Sequence, residues 1–466
     1  GQEPPGGQRP DYRRIVPRGA FDVEHALDAV RPICDAVRDR GADALREFSE
    51  RFDRVVPESF RVPEELLARC ADELDADVRA ALVESIRRRR VVAEAERQPD
   101  SLVVEVAPGA SVEIRSVPVR RVGLYVPGGL APLASSVLMN VVPAQVAGVD
   151  SLAVATPPSA ANGGWPDATI LGLCHLLGVT EVYAVGGAQA IAMFAHGVAG
   201  VCEPVDLVTG PGNIYVVAAK RLLRGLVGID SEAGPTEIMV LADDTADPAF
   251  VAADLISQAE HDPMAGSVLV TDSVALADAV NDLLDDRIDA LANVERIRTA
   301  LSGPQSAVVL VDSLDQGIAV ADAYGAEHLE IHTRDADAVA RRIRNAGAIF
   351  VGPHAPVPLG DYSAGSTHVL PTSGTAAHSS GLTARSFCKT VHVIDYSADA
   401  LGDIGPLVEA FATAELLPGH REAIRVRTAS RAASMSSANS PPESTGEIRP
   451  STAFASVTVG SLPPLP

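Results

Sequence analysis

The stretch EVYAVGGAQAIAMFAHG, Glu181–Gly197, runs from a short apolar strand into a Gly-Gly turn and then into an apolar helical segment. A strand that ends in glycine just where a helix begins is half of a parallel crossover unit. The same unit recurs on either side. SLAVATPP (Ser151–Pro158) precedes the helical ATILGLCHLLG (Ala168–Gly178), and DLVTGPGN (Asp206–Asn213) opens the helix of TGPGNIYVVAAKRLL (Thr209–Leu223). Further on, EIMVLADD (Glu237–Asp244), GSVLVTD (Gly266–Asp272), SAVVLVD (Ser306–Asp312) and AIFVG (Ala348–Gly352) read as strands, with a helix through PAFVAADLISQAEHD (Pro248–Asp262). Two α/β units with parallel sheets follow from this alternation.

Composition agrees with that layering. Hydrophobic residues make up 47% of the 466, charged residues 21% and aromatics only 4%, so the cores must be filled by Val, Leu, Ile and Ala, as in helix-covered parallel sheets. A net charge of −23 lacks the basic face that nucleic-acid phosphates require. The run Arg87–Arg90 reads as a solvated helix end. Five scattered cysteines, without C-x-x-C spacing, read as reduced thiols. No apolar run approaches a membrane span, and GQEPPGGQRPDYRRIVPRGA at the start lacks an apolar signal core. A cytoplasmic location, with neither membrane nor nucleic acid as partner, is the expectation.

Chemistry-bearing residues gather at the ends of these elements. In SQAEHDP (Ser257–Pro263), Gln258 and His261 are three apart and share a helical face, which Pro263 ends. AYGAEHLEIHT (Ala323–Thr333) carries a second Glu-His pair, Glu327 and His328. The Gly/Pro-rich VGPHAPVPLGDYSAGSTHVLPT (Val351–Thr372) holds His354, Asp361 and His368, and AELLPGHREA (Ala414–Ala423) holds Glu415 and His420. Imidazole, carboxylate and amide oxygen are donors that suit Zn²⁺ or another borderline divalent ion, although no local metal signature is present. Glycine turns at YVPGG, VGGAQA and TGPGN suit a nucleotide phosphate or simply a tight turn, since the G-x-G-x-x-G fingerprint is absent.

From about Phe21 to Arg425 the chain resembles the histidinol dehydrogenases, through VGLYVPGG, PLASSVLMNVVPAQVAGV, TGPGNIYV, EAGPTEI, SQAEHDP, GAEHLEI, GDYSAGSTHVLPT and SSGLTARSF. The resemblance implies oxidation of L-histidinol to L-histidine through the aldehyde, with NAD and one zinc ion per subunit. It implies zinc ligands Gln258, His261, Asp361 and His420, NAD contacts from Tyr125, Gln189 and Asn213, and Glu327 and His328 as the proton-transfer pair. Substrate contacts carry over to Thr236, His368 and Glu415 together with Gln258, His261, His328, Asp361 and His420; the family usually has Ser where Thr236 stands.

The resemblance also implies two Rossmann-like parallel-sheet domains of the incomplete type, with small helical terminal segments, in an intertwined homodimer with shared sites. The domains expected are a main one of residues 21–125 with 238–382, an inserted NAD-binding one of 126–237, and a segment 383–426 reaching the partner. A flexible segment 1–20 and a disordered Ser/Pro-rich tail 427–466 flank them. A relative on the same scaffold oxidising another small alcohol, such as a sulfonated diol, is the alternative; Glu415 and His420 discriminate, because they suit an amino-imidazole substrate.

Overall fold

A computed structural model describes residues 11–19, 22–128 and 133–436, with side chains described as far as residue 429. The described residues up to 100, with 116–391, form one compact unit, and 101–115 with those from 392 onward form another. Strands β1 (Ser101–Ala107) and β2 (Ala110–Pro118) make an antiparallel hairpin.

The first five-stranded sheet contains β3 (Arg121–Tyr125), β4 (Ser151–Thr156), β5 (Val182–Ala184), β6 (Leu207–Thr209) and β7 (Gly228–Ile229), all parallel, in the order β5-β4-β3-β6-β7. The second contains β8 (Glu237–Ala242), β9 (Gly266–Thr271), β10 (Ala307–Leu310), β11 (His328–His332) and β12 (Ala348–Val351), also parallel, in the order β10-β9-β8-β11-β12. The two orders are the same. Each sheet's earliest strand lies at its centre, the next two step to one side and the last two to the other, so each is a Rossmann-like sheet with one switch point beside the central strand. Finally β13 (Cys388–Tyr396) pairs with β2.

Helices cover both faces. On the first sheet, Val23–Arg40, Gly187–His196 and Ile214–Leu223 bury one apolar cluster, and Ala134–Ala147 with Ala168–Leu176 bury another. The central strand thus lies just ahead of residue 126, where the insert was expected to begin, and residues 23–40 cover this sheet rather than the second. Leu124, Val154 and Val208 are fully buried, and each such side chain contributes about 1.5–3 kcal/mol on transfer from water. On the second sheet, Leu314–Tyr324 covers one face and Pro248–Ala259 the other.

Residues 11–19 are packed, although they fall in the segment expected to be flexible: Val16 is buried, and the Arg18 guanidinium lies 3.8 Å from the Tyr324 ring centroid and 3.4 Å from Glu237. The arginine run is not a helix end. It sits inside the helix Ala76–Glu96, where Arg87 and Arg88 pair with Glu84, whereas Arg89 is fully buried against Glu96 and the Gly365 and Leu382 carbonyls. All five cysteines are free thiols. In the second unit the helices Ala398–Ala414 and Pro418–Ser436 pack together, so residues 427–436 of the expected tail are helical; residues 1–10 and 437–466 lie outside the described residues.

Candidate active site

At the carboxyl edge of the first sheet lies a cavity of about 1140 Å³ whose lining includes Tyr125, Gln189 and Asn213. Tyr125 ends the central strand, and its buried hydroxyl accepts the Gly187 N–H at 3.0 Å, which ties the Gly-Gly turn to the strand end. Burial pushes that phenol up to about 12. Gln189 is 2% exposed, and its amide nitrogen has no protein partner. Asn213 caps the helix Ile214–Leu223, its side-chain oxygen accepting the N–H groups of Tyr215 and Val216 at 3.1 and 3.2 Å. The loop ahead of it approaches the strand so closely that a side chain at Gly210 (φ +113°) would collide with the Tyr125 carbonyl. Lys220, buried, donates to the Gly210 carbonyl and to Asp230 at 2.7 Å, which fixes that loop from beneath. Asp53 lines the same cavity with one carboxylate oxygen unpartnered, and burial pushes it up to about 7.

The second cluster occupies the opposite, amino edge of the second sheet. Glu327 and His328 stand where β11 begins, beside Thr236 and Glu237 where β8 begins. The Thr236 hydroxyl donates to Glu327 at 2.5 Å and in turn accepts the Gln258 amide at 2.7 Å; the Glu237 N–H also donates to Glu327, at 3.0 Å. Burial pushes Glu327 up to about 8 despite the pull of those donors. His328 Nδ1 lies 3.2 Å from the Glu237 carbonyl and so carries the proton, leaving Nε2 as the basic nitrogen. That Nε2 is buried with no hydrogen-bond partner, and burial lowers the ring's pKa, so the imidazole is neutral.

Gln258 and His261 come from the carboxyl end of the helix Pro248–Ala259 and the turn after it, and Asp361 from the short helix Val357–Tyr362. His261 Nε2 and Asp361 Oδ2 are 3.5 Å apart, too long for a hydrogen bond but suited to two ligands of one ion, and the Gln258 carbonyl oxygen is buried and unpartnered. Burial alone would lower His261, but Asp361 overcomes it and raises the imidazole; the histidines in turn hold Asp361 below the usual carboxylate range against burial. His368 Nδ1 sits 3.2 Å from the Asp361 carbonyl. Three of the four expected zinc ligands therefore fit a metal. His420 and Glu415 belong to the second unit, exposed around the turn between its two helices.

A family model described as histidinol dehydrogenase matches residues 16–428. A histidinol dehydrogenase of Cutibacterium acnes is 66% identical over 90% of this chain and 96% of its own length. One from Nocardia farcinica is 61% identical over 90% of this chain and 94% of its own. The crystal structure of histidinol dehydrogenase from Elizabethkingia anophelis matches with a TM-score of 0.85 at 30% identity, covering 93% of this chain and 98% of that one.

Proposed function

The chain belongs to the histidinol dehydrogenase family, and we propose that it oxidises L-histidinol to L-histidine through L-histidinaldehyde, reducing two NAD. The observation that carries this reading is the buried, unpartnered Nε2 of a neutral His328, whose ring lies beside Glu327 and within the electrostatic reach of His261 and Asp361. In the first step His328 Nε2 takes the hydroxyl proton while hydride leaves the carbinol carbon for NAD. In the second, water adds to the aldehyde with Glu327 accepting its proton, and hydride leaves the hydrate for a second NAD. Thr236 and the Glu237 N–H hold the Glu327 carboxylate in place for that transfer.

Gln258, His261 and Asp361 would hold zinc, which when bound supplies a fixed electrophilic template for the nitrogen donors of the substrate. NAD belongs in the cavity of the first sheet, with Tyr125, Gln189 and Asn213 on its wall. His420 completes the ligand set and Glu415 contacts substrate, both reaching the site of a partner subunit in an intertwined homodimer. Support for a partner comes from the apolar surface of the second unit, where Val103 is 63%, Ile394 71% and Phe411 68% exposed. If sites are shared, co-expressed His328→Asn and His420→Asn chains yield heterodimers with one intact site, and heterodimers no more active than either parent would rule sharing out. The activity itself is tested by incubating the protein with L-histidinol and NAD. Two NADH and one L-histidine per substrate are expected; neither product forming would overturn the reading.

A further inference from the structure

Behind His328, β11 carries two more polar side chains on the same face, Glu330 and His332, at the two-residue spacing of a strand. Asp254 faces them from the helix Pro248–Ala259, one turn before Gln258. One donor atom from each of the three lies within 4.8 Å of the others. The group is sealed, with Glu330 0%, His332 5% and Asp254 7% exposed. Among the described residues no Lys or Arg pairs with either carboxyl group, and the two carboxyls lie against each other and against the His332 imidazole.

Distances decide what joins them. His332 Nε2 is 3.4 Å from Glu330 Oε2 and 3.7 Å from Asp254 Oδ2, beyond a hydrogen bond, and both His332 Nε2 and Glu330 Oε2 lack any hydrogen-bond partner. Donors about 2.0–2.2 Å from a tetrahedral centre sit roughly 3.3–3.6 Å apart, close to this spacing. The other carboxylate oxygen of Glu330 accepts the Val357 N–H at 2.8 Å, at the start of the helix that bears Asp361. The cluster therefore joins three of the elements that supply the candidate active site in this unit: the helix of Gln258, the strand of His328 and the helix of Asp361.

We propose that Asp254, Glu330 and His332 hold a second divalent cation, a structural one that pins those three elements together. Two carboxylates and a neutral imidazole carry a charge of −2, which a divalent ion cancels. One nitrogen and two oxygens select a borderline ion such as Zn²⁺ or Mn²⁺ over Mg²⁺ or Ca²⁺. The site does not depend on the activity proposed above.

Elemental analysis of the full-length protein, saturated separately with Zn²⁺ and with Mn²⁺ and then desalted, tests it. Two equivalents per chain are expected in the unaltered protein, one in His332→Gln and one in His261→Asn. One equivalent that His332→Gln removes and His261→Asn keeps would uphold the second site while refuting the zinc of the active site. Equal metal in the unaltered protein and His332→Gln would overturn the proposal. Should that variant fail to fold, anomalous scattering from crystals of the unaltered protein decides: a peak within ligand distance of His332 Nε2 supports the site, and none overturns it.

Discussion

The two parallel sheets share one strand order but use opposite edges. In the first, the cavity with Tyr125, Gln189 and Asn213 lies at the carboxyl ends of the strands, where the switch point beside β3 opens a crevice. In the second, the chemistry gathers at the amino ends of β8 and β11. The helix Pro248–Ala259 explains the reversal: it returns from the end of β8 to the opposite edge, so its carboxyl end, with Gln258 and His261, arrives beside Glu327. Topology thus fixes where a crevice forms, whereas the side chains at each strand end decide which edge is used.

The comparison breaks most sharply at His328 and Glu327. His328→Asn should lower oxidation of both histidinol and histidinal by about 10²–10⁴-fold, and Glu327→Gln should impair histidinal oxidation more, because only that step consumes water. Both should leave NAD affinity unchanged if NAD occupies the cavity of the other sheet, as proposed; equal losses on the two substrates for Glu327→Gln would refute the division of labour. Next in size, a chelator should abolish turnover without weakening NAD binding by calorimetry, and Zn²⁺, Mn²⁺ or Co²⁺ should restore it. Full turnover in a sample proven metal-free would end the metal's role.

On the first sheet, Gly210→Ala forces the loop off the Tyr125 carbonyl and should raise the KM for NAD by about tenfold while the KM for histidinol stays put. The smallest effect concerns Asp53. Burial raises its carboxyl from 3.8 to about 7, so the folded chain binds this proton more tightly than the unfolded one, and its ionisation weakens the fold as pH climbs from about 4 to 7. Without ligand, Asp53→Asn should therefore raise Tm by roughly 2 °C at pH 8 and by less at pH 5. An equal change at both values would show that the carboxyl is not the cause.

Most strands of both sheets were legible because apolar strands alternate with helical runs from Ser151 to Gly352, but β7 and β11, the strand that bears His328, were not read as strands. Gln258 with His261 was legible as a pair three residues apart, but the expected shared helical face is not formed: the helix ends at Ala259, ahead of Pro263, and His261 lies in the turn after it. Arg89 was misread, because a run of four arginines on a helix gives no sign of which one turns inward to Glu96. Asp53 also went unseen, lying far in sequence from the other residues of its cavity. The buried cluster had a local signal, since His328, Glu330 and His332 alternate in HLEIH, but its third member, Asp254, joins only once the helix folds over the strand.

The division between the two edges is tested most directly by hydrogen exchange, with NAD alone and with L-histidinol plus Zn²⁺ alone. NAD should protect the backbone at 186–189 and 210–216, while L-histidinol should protect 236–237, 327–328 and 361–368. Two separate footprints are the expected result. Protection of the amino edge of the second sheet by NAD alone, with no change in the first sheet's loops, would contradict it.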